Sequence, residues 1–503
     1  MTSSDSDVFL ESGFSYVLAK LRLCTPFGAD LKKRLRPFSR DESKALELAL
    51  DQVSAALGAI RKDEKAFAPV TRVMRMMRDI RGSLDRCAGN DTLDETEFFE
   101  IKNFCLLMGE FKRNYLNLSL SIPEVDFTSL SEVVKLLNPD EQIVPSFSIY
   151  SSYEPKLAEI RCRKHEIESL IMKEGDGQSR DRLLRQRQEI VVSEKAQELS
   201  VKKSLTARLS AYKNDILRNV GSIALLDLII AKASLAFEYG AARPGFAGDD
   251  VRGFAIQLKE AFHPEVSDML AEKGQRFIPL DLSLKKGVTI LTGANMGGKS
   301  VALRTVLLNA VAARMGFFVF AKDCVTGHFE NIVFLGGDLQ DFTRGLSSFG
   351  AEIIRLSSII ETVKRAGGGL FVLDELARTT NPSEGKCFIK AYAKYMKGRD
   401  FVSLVSTHYD VSDIADAEHF IVRGLESADT SAMKDDIHKG EHTALDVIQK
   451  YMDYRIRKVE SGYRPPHDAL TIADLIGIDS GFVKLVENEY REERLKDGSQ
   501  TES

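Results

Sequence analysis

The ten residues Leu291–Ser300, LTGANMGGKS, constrain this 503-residue chain more than any other stretch. They join the apolar run GVTI to the long apolar segment VALRTVLLNAVAARMG, and Gly293, Gly298, Lys299 and Ser300 satisfy the spacing G-x-x-x-x-G-K-[ST]. Such a turn has to stand between a strand and the helix it starts. Only there do glycine-permitted backbone angles aim successive N–H groups and the positive helix end at one anion. The spacing predicts a strand ending at Leu291, a helix starting near Lys299 and a phosphate held between them.

From about Ala241 onward, further short apolar runs (NIVFLGG, GGLFVLDE, FVSLVSTH, HFIVRGL) alternate with helical segments, which predicts an α/β region with a largely parallel sheet. Before it, from about Leu21 to Phe237, stretches such as DESKALELALDQVSAALGAI and EFFEIKNFCLLMGEFKRNYL repeat apolar residues every three or four positions, the period of packed helices. One interruption, KEGDGQSRDRLLRQRQ, places two glycines and a run of arginines between two long charged helices and reads as the tip of an antiparallel helical hairpin. After Glu441 helices return, with two short ones around a Gly-Ile-Asp turn. The expected organisation is a multidomain α plus α/β chain: a tail over 1–19, a helical domain over 20–237 with its hairpin tip at about 173–195, an α/β domain over 238–440, and a small helical unit with a polar tail over 441–503.

The formal charge of −5 excludes a wholesale polyanion binder, so any nucleic-acid surface must be local. Six cysteines, Cys24, Cys87, Cys105, Cys162, Cys324 and Cys387, form no CxxC pair and no zinc spacing, and are expected to be buried thiols in a reducing compartment. The N-terminus lacks a basic and apolar leader, and ALLDLIIAKASLAF is interrupted by Asp227 and Lys232 and is too short to span a bilayer, so a cytoplasmic protein without a membrane partner is expected.

The chemistry-bearing residues cluster after the strand-like runs. Lys299 should reach β- and γ-phosphates, and the Ser300 hydroxyl should take a position on magnesium. GGLFVLDELARTT delivers Asp374 and Glu375 at the carboxyl end of a strand, where ligands of open parallel sheets bind. Asp374 would hold magnesium, directly or through water, and Glu375 would be the general base for the attacking water; two acids that merely cap the next helix are the plainer alternative. FVSLVSTHYD ends a third strand at His408, which would contact the γ-phosphate or the water, or serve only a structural role. ATP and magnesium are the cofactors this set implies.

Four of these segments together, TGANMGGKS, DELARTTN, Thr407-His408-Tyr409 and GLSSFGAEI, resemble the ATPase domain of the MutS family of DNA mismatch-repair proteins. The resemblance implies an ABC-like P-loop ATPase domain that works as a dimer with composite sites. The nucleotide-binding residues would then be Gly293, Ala294, Asn295, Met296, Gly297, Gly298, Lys299, Ser300 and Val301, with Asn295 as a nucleotide-state sensor and Ser347 reaching the γ-phosphate of a partner copy. Weaker likeness extends over about residues 20 to 490, with EPKLAEIRCRKHEIESL similar to the family's lever helices and SGYRPPHDALTIADLIGI to its helical dimerisation segment. The chain departs from the family pattern at Ala294, where proline is usual, and at Ala377 and Thr379, where glycines are usual. The backbone after Glu375 is therefore expected to be less able to take special conformations.

The resemblance also raises the question of what the nucleotide moves. The helical core begins within about two dozen residues of the first, so the family's mismatch-recognition and connector domains do not fit before it, and its clamp does not fit within residues 173–195. The expected object is a truncated member. At the hairpin tip, Arg180, Arg182, Arg185 and Arg187 could meet DNA phosphates, while the interleaved Asp181 and Glu189 make a solvated helix face an equal reading. Two functions stay open. One is a DNA-associated, mismatch-repair-related ATPase, a homodimer or a heterodimer with a related chain, whose arms close on double-stranded DNA. The other is a remodelling ATPase that reactivates a partner metabolic enzyme such as a cobalamin-dependent lysine aminomutase.

Overall fold

A computed structural model describes residues 8–89, 91–141, 146–246, 255–293, 298–336, 348–365, 368–378, 380–411, 413–426, 428–438, 443–460, 472–473 and 475–499. The chain divides into two compact units, one made of Arg22–Leu35 and Gln52–Ser234, the other of Met1–Leu21, Arg36–Asp51 and Leu235–Ser503. Sequence order hides one part of this division: Arg36–Asp51, which reads as the start of the helical domain, packs with the later unit.

Every described strand lies at Gly245 or beyond, so the first unit is helical among its described residues. Its helix Glu95–Leu116 starts at a reciprocal cap in which the Asp94 carboxylate accepts from the Glu97 amide and Glu97 reaches back to Asp94. That helix buries Phe98, Ile101, Phe104 and Phe111. Asp227 anchors a second start. It is 2% exposed and accepts from the Cys24 amide (3.0 Å), the Thr25 amide (2.8 Å) and the Thr25 hydroxyl (2.7 Å), while Thr25 Oγ1 caps the helix Pro26–Lys33 by accepting from the Gly28 amide. Burial pushes the Asp227 carboxyl pKa up, and the hydrogen bonds from Cys24 and Thr25 pull it back. Asp227→Ala leaves three buried donors without their acceptor and should lower the stability of this unit by about 3 kcal/mol or more, read from the urea midpoint by circular dichroism.

Helices Pro155–Lys173 and Gly177–Ser210 form the expected hairpin through a connection of only Glu174–Asp176. Its cross-pairs run antiparallel: Arg161 to Glu194 (3.0 Å) near the base and Arg187 to Glu168 (2.7 Å) near the tip. Asp176 caps the second helix by accepting from the Ser179 amide. The arginines of the hairpin tip, Arg180, Arg182, Arg185 and Arg187, stand on the first three turns of the second helix.

The apolar stretch judged too short to span a bilayer belongs to a 27-residue helix, Lys213–Tyr239, which is long and apolar enough to cross a membrane and is the one such helix among the described residues. Of its apolar window, 78% is buried inside the protein, as in a core helix. The cysteine expectation holds in part. Cys87, Cys105 and Cys324 are buried, whereas Cys162 and Cys387 are exposed on helices and Cys24 is half-buried.

In the second unit the strands are β1 (Gly245–Phe246), β2 (Ile256–Ala261), β3 (Leu280–Leu284), β4 (Gly287–Thr292), β5 (Asp323–Thr326), β6 (Asn331–Leu335), β7 (Gly369–Leu373), β8 (Phe401–Ser406), β9 (Ala417–Gly424) and β10 (Asp453–Val459). Six form one sheet in the order β10-β9-β4-β8-β7-β6, in which β9, β4, β8, β7 and β6 are parallel and β10 is antiparallel at the edge. Strands β7 and β8 are buried at every residue, as parallel strands covered on both faces must be. Helices Ser348–Arg365 and Pro382–Met396 supply Leu356, Ile359, Val363, Ile389 and Met396 to the core that holds Phe371, Leu373 and Val405. The remaining strands make a smaller mixed sheet, β1-β5-β2-β3, that the sequence reading does not anticipate. Strand β10 corrects the expectation that the C-terminal segment is helical, because DYRIRKV pairs with β9 instead. Its alternating arginines suit the exposed side of an edge strand.

Candidate functional site

The sheet register brings the chemistry-bearing segments level. Leu291 on β4 stands opposite Ser406 on β8, and Leu373 on β7 stands opposite Val405. Thr292-Gly293, Asp374-Glu375 and Thr407-His408 therefore leave the sheet at one edge, the carboxyl ends of adjacent parallel strands.

In the turn between β4 and the next helix, Gly293 has φ 135° and Gly298 has φ 82°, values that side chains resist. Space demands glycine as well: a Cβ on Gly293 would lie 2.9 Å from the Val422 carbonyl oxygen, and one on Gly298 would lie 2.9 Å from Tyr454 Cδ1. The helix Lys299–Arg314 starts directly after Gly298, as predicted. Lys299 is 6% exposed, and its Nζ donates to the Gly293 carbonyl at 2.7 Å, spanning the loop. Desolvation lowers its pKa, against the opposing pull of Glu375 and Asp374. Ser300 is exposed in the first turn, and Val301 is half-buried with its carbonyl accepting from Thr305 Oγ1. Ala294, Asn295, Met296, Gly297, Ser347 and Thr379 lie outside the described residues.

On the neighbouring strands, Ser406 ties the two acids together. Its hydroxyl donates to Asp374 Oδ1 at 2.6 Å and accepts from the Glu375 amide at 2.8 Å. Glu375 takes a left-handed φ of 56°, and its carboxylate pairs with Arg378 at 2.9 Å. His408 is exposed and its ring lies 4.3 Å from that of Tyr409. Its pKa is lowered by desolvation first and by the Lys299 and Arg378 charges, with Glu375 pulling the other way, so the imidazole is neutral near pH 7.

The backbone after Glu375 departs from the expectation drawn from its missing glycine. Ala377 adopts φ 61° although it carries a Cβ. Its amide donates to the Glu352 carboxylate and its carbonyl accepts from the Tyr409 hydroxyl at 2.7 Å, so two hydrogen bonds hold an alanine where glycine would need none.

Among the described residues no three His, Cys, Asp or Glu side chains gather as a metal site. A divalent cation held by Ser300 and Asp374 would need further oxygens, and the donor set fits a cation that arrives with a nucleotide's phosphates. Three contributors escaped the sequence reading. Ser406 left a signal, a hydroxyl at the carboxyl end of the mostly apolar run FVSLVS; Arg378 stood three residues after the acid it pairs with; Tyr454 left none.

Residues 289–448 match the model of the MutS family's domain V. Among curated proteins, the chain is 34% identical over 209 residues to an endonuclease MutS2 of Carboxydothermus hydrogenoformans, covering 41% of this chain and 25% of that one. It is 29% identical over 301 residues to the endonuclease MutS2 of Caldicellulosiruptor saccharolyticus, covering 59% of this chain and 34% of that one. A DNA mismatch repair protein MutS of Carboxydothermus hydrogenoformans is 30% identical over 209 residues, 41% of this chain and 24% of its own length. The chain thus spans a quarter to a third of the length of these relatives. The segment that carries the loop, the acids and the histidine is similar to domain V of the MutS family.

Proposed function

We propose that this protein binds and hydrolyses ATP with magnesium as a dimer, and that the nucleotide cycle moves its helical hairpin on double-stranded DNA. One observation carries the reading: Asp374, Glu375 and His408 leave adjacent strands at the sheet edge where β4 leads into Gly293, and Lys299, the first residue of the following helix, reaches back to the Gly293 carbonyl. The match to domain V of the MutS family supports it, since MutS family members are ATPases. The endonuclease and mismatch-repair activities in the relatives' names belong to those proteins.

In this reading Lys299 and the loop amides bind the phosphates, and the Ser300 hydroxyl and the Asp374 carboxylate would hold magnesium, with Ser406 fixing the orientation of Asp374. Magnesium supplies neutralisation of the charge that develops on the phosphate oxygens. Glu375 takes the proton of the attacking water, and Arg378 holds its carboxylate until then. His408, neutral and exposed, orients that water or the terminal phosphate. Ser347 of a second copy completes the site.

Titration of the full chain with a labelled DNA duplex, read by fluorescence anisotropy at several salt concentrations, tests the DNA arm. Arg180, Arg182 and Arg185 are exposed, whereas Arg187 is paired with Glu168. Changing the three exposed arginines to glutamine should weaken binding and reduce the salt slope by about 2–3, the release of roughly one counterion per lost phosphate contact. Salt-independent binding, or binding unchanged by the triple substitution, refutes the DNA arm; ATP-dependent retention of a partner enzyme instead would favour a remodelling role.

A further inference from the structure

The turn that carries Glu375 is held from outside by a helix that the proposed chemistry does not use. Glu352 stands one turn into the helix Ser348–Arg365, is 4% exposed, and accepts from the Ala377 amide. On the other side of the same residue, Tyr409 donates its hydroxyl to the Ala377 carbonyl, and its own amide is held by Thr407 Oγ1 at 3.1 Å. Both Glu375 (φ 56°) and Ala377 (φ 61°) are left-handed although neither is glycine. A left-handed residue with a side chain is strained. A hydrogen bond to a charged acceptor is stronger than one between neutral groups, so of the two bonds that hold Ala377 the one to Glu352 contributes the larger part.

The direction of Glu375 therefore depends on where the helix Ser348–Arg365 sits. That helix is continuous in sequence with the segment Gly345–Ser347, whose serine is proposed to meet the terminal phosphate of a second copy. We infer that Glu352 is a positioning residue: through the Ala377 amide it fixes the turn that aims Glu375, and so makes hydrolysis answer to the placement of the helix that follows the partner-facing segment. This inference rests on the ATPase reading above and adds to it a route by which a partner regulates that site.

The test compares Glu352→Ala with Glu352→Gln in the full chain. Glutamine keeps an acceptor oxygen for the Ala377 amide and drops the charge; alanine removes the acceptor. Three quantities are read: kcat and KM for ATP, affinity for a fluorescent ATP analogue, and hydrogen exchange of the peptide containing Ala377 in nucleotide-free protein. Glu352→Ala should lower kcat about 10- to 100-fold, the range expected when a catalytic group is misplaced by about 1 Å, while analogue affinity stays within about twofold and exchange at Ala377 accelerates. Glu352→Gln should hold kcat within about threefold of wild type, because a neutral acceptor retains most of the bond.

Two results overturn the inference. One is wild-type kcat in Glu352→Ala. The other is an equal loss of kcat, affinity and melting temperature in both variants, which marks a residue needed only for folding. If the wild type turns over no ATP, the hydrolytic reading fails and the exchange measurement still decides the contact: equal exchange at Ala377 in wild type and Glu352→Ala refutes it.

Discussion

Lys299→Ala should leave a folded protein that no longer binds ATP at concentrations that saturate the wild type. The Lys299 ammonium is 6% exposed and reaches across the loop to the Gly293 carbonyl, so its charge is directed into the turn rather than toward bulk water. Removing one partner of a desolvated charge pair costs about 2–5 kcal/mol, and at about 1.4 kcal/mol per decade this is a loss of affinity of about 1.5 to 3.5 orders of magnitude. Calorimetric titration with the magnesium–ATP complex measures it, and Lys299→Met, which keeps the apolar stem without the charge, separates the electrostatic loss from a packing defect. Wild-type affinity in either variant removes Lys299 from the phosphate site. The same residue sets a pH dependence. Burial disfavours its charged form and lowers its pKa, with Asp374 and Glu375 opposing, so the cation is lost as pH rises, and lost earlier than from an ordinary lysine. Affinity should accordingly begin to fall on the alkaline side below the usual lysine range in the wild type and stay flat in Lys299→Met.

The proposed phosphate loop was readable from sequence because its two described glycines admit almost no other residue: positive φ at Gly293 and Gly298 and contacts of 2.9 Å to Val422 and Tyr454 leave room only for glycine. The central strands β7 and β8 were readable for a related reason, since strands buried on both faces, GLFVL and FVSLVS, are short and mostly apolar. Where one face meets solvent the signal weakens. Strand β10 carries arginine or lysine at three of its seven positions and reads as charge rather than as strand. The small sheet is built from β2 and β3, whose alternating pattern is broken by a register shift between Leu258 and Ala261, where Glu260 takes φ 48°.

Long-range pairing was not readable at all. Nothing in DELARTT announces that Ala377 would be held left-handed by Glu352, 25 residues earlier, and Tyr409, 32 residues later. Nor does anything in SRDRLLRQRQ separate Arg187, which pairs with Glu168, from Arg185 two residues before it. The helical hairpin was legible because its period and its glycines are local, whereas the assignment of Arg36–Asp51 to the later unit depends on contacts that sequence order does not encode.

Glu375→Gln should bind ATP as tightly as the wild type and turn it over about 10²–10⁴ times more slowly, the contribution of a positioned general base. The substitution conserves size and leaves the amide that Ser406 accepts from, so the link to Asp374 through the Ser406 hydroxyl survives and Asp374, the proposed magnesium ligand, keeps its orientation. What it removes is the proton acceptor and the ionic partner of Arg378. Since binding and chemistry separate in this variant, the ATP-bound state should accumulate: light scattering on Glu375→Gln with ATP should report a dimer that persists, while the wild type returns to its nucleotide-free distribution as ATP is consumed. Ser347→Ala on the same background then addresses the partner directly. If the second copy's serine meets the terminal phosphate, the trapped dimer should weaken while binding of ATP to a single copy is kept. Turnover in Glu375→Gln at the wild-type rate would move the base role elsewhere, and His408 would be the residue to substitute next, because it leaves the adjacent strand at the same edge and its lowered pKa keeps it a neutral acceptor near pH 7.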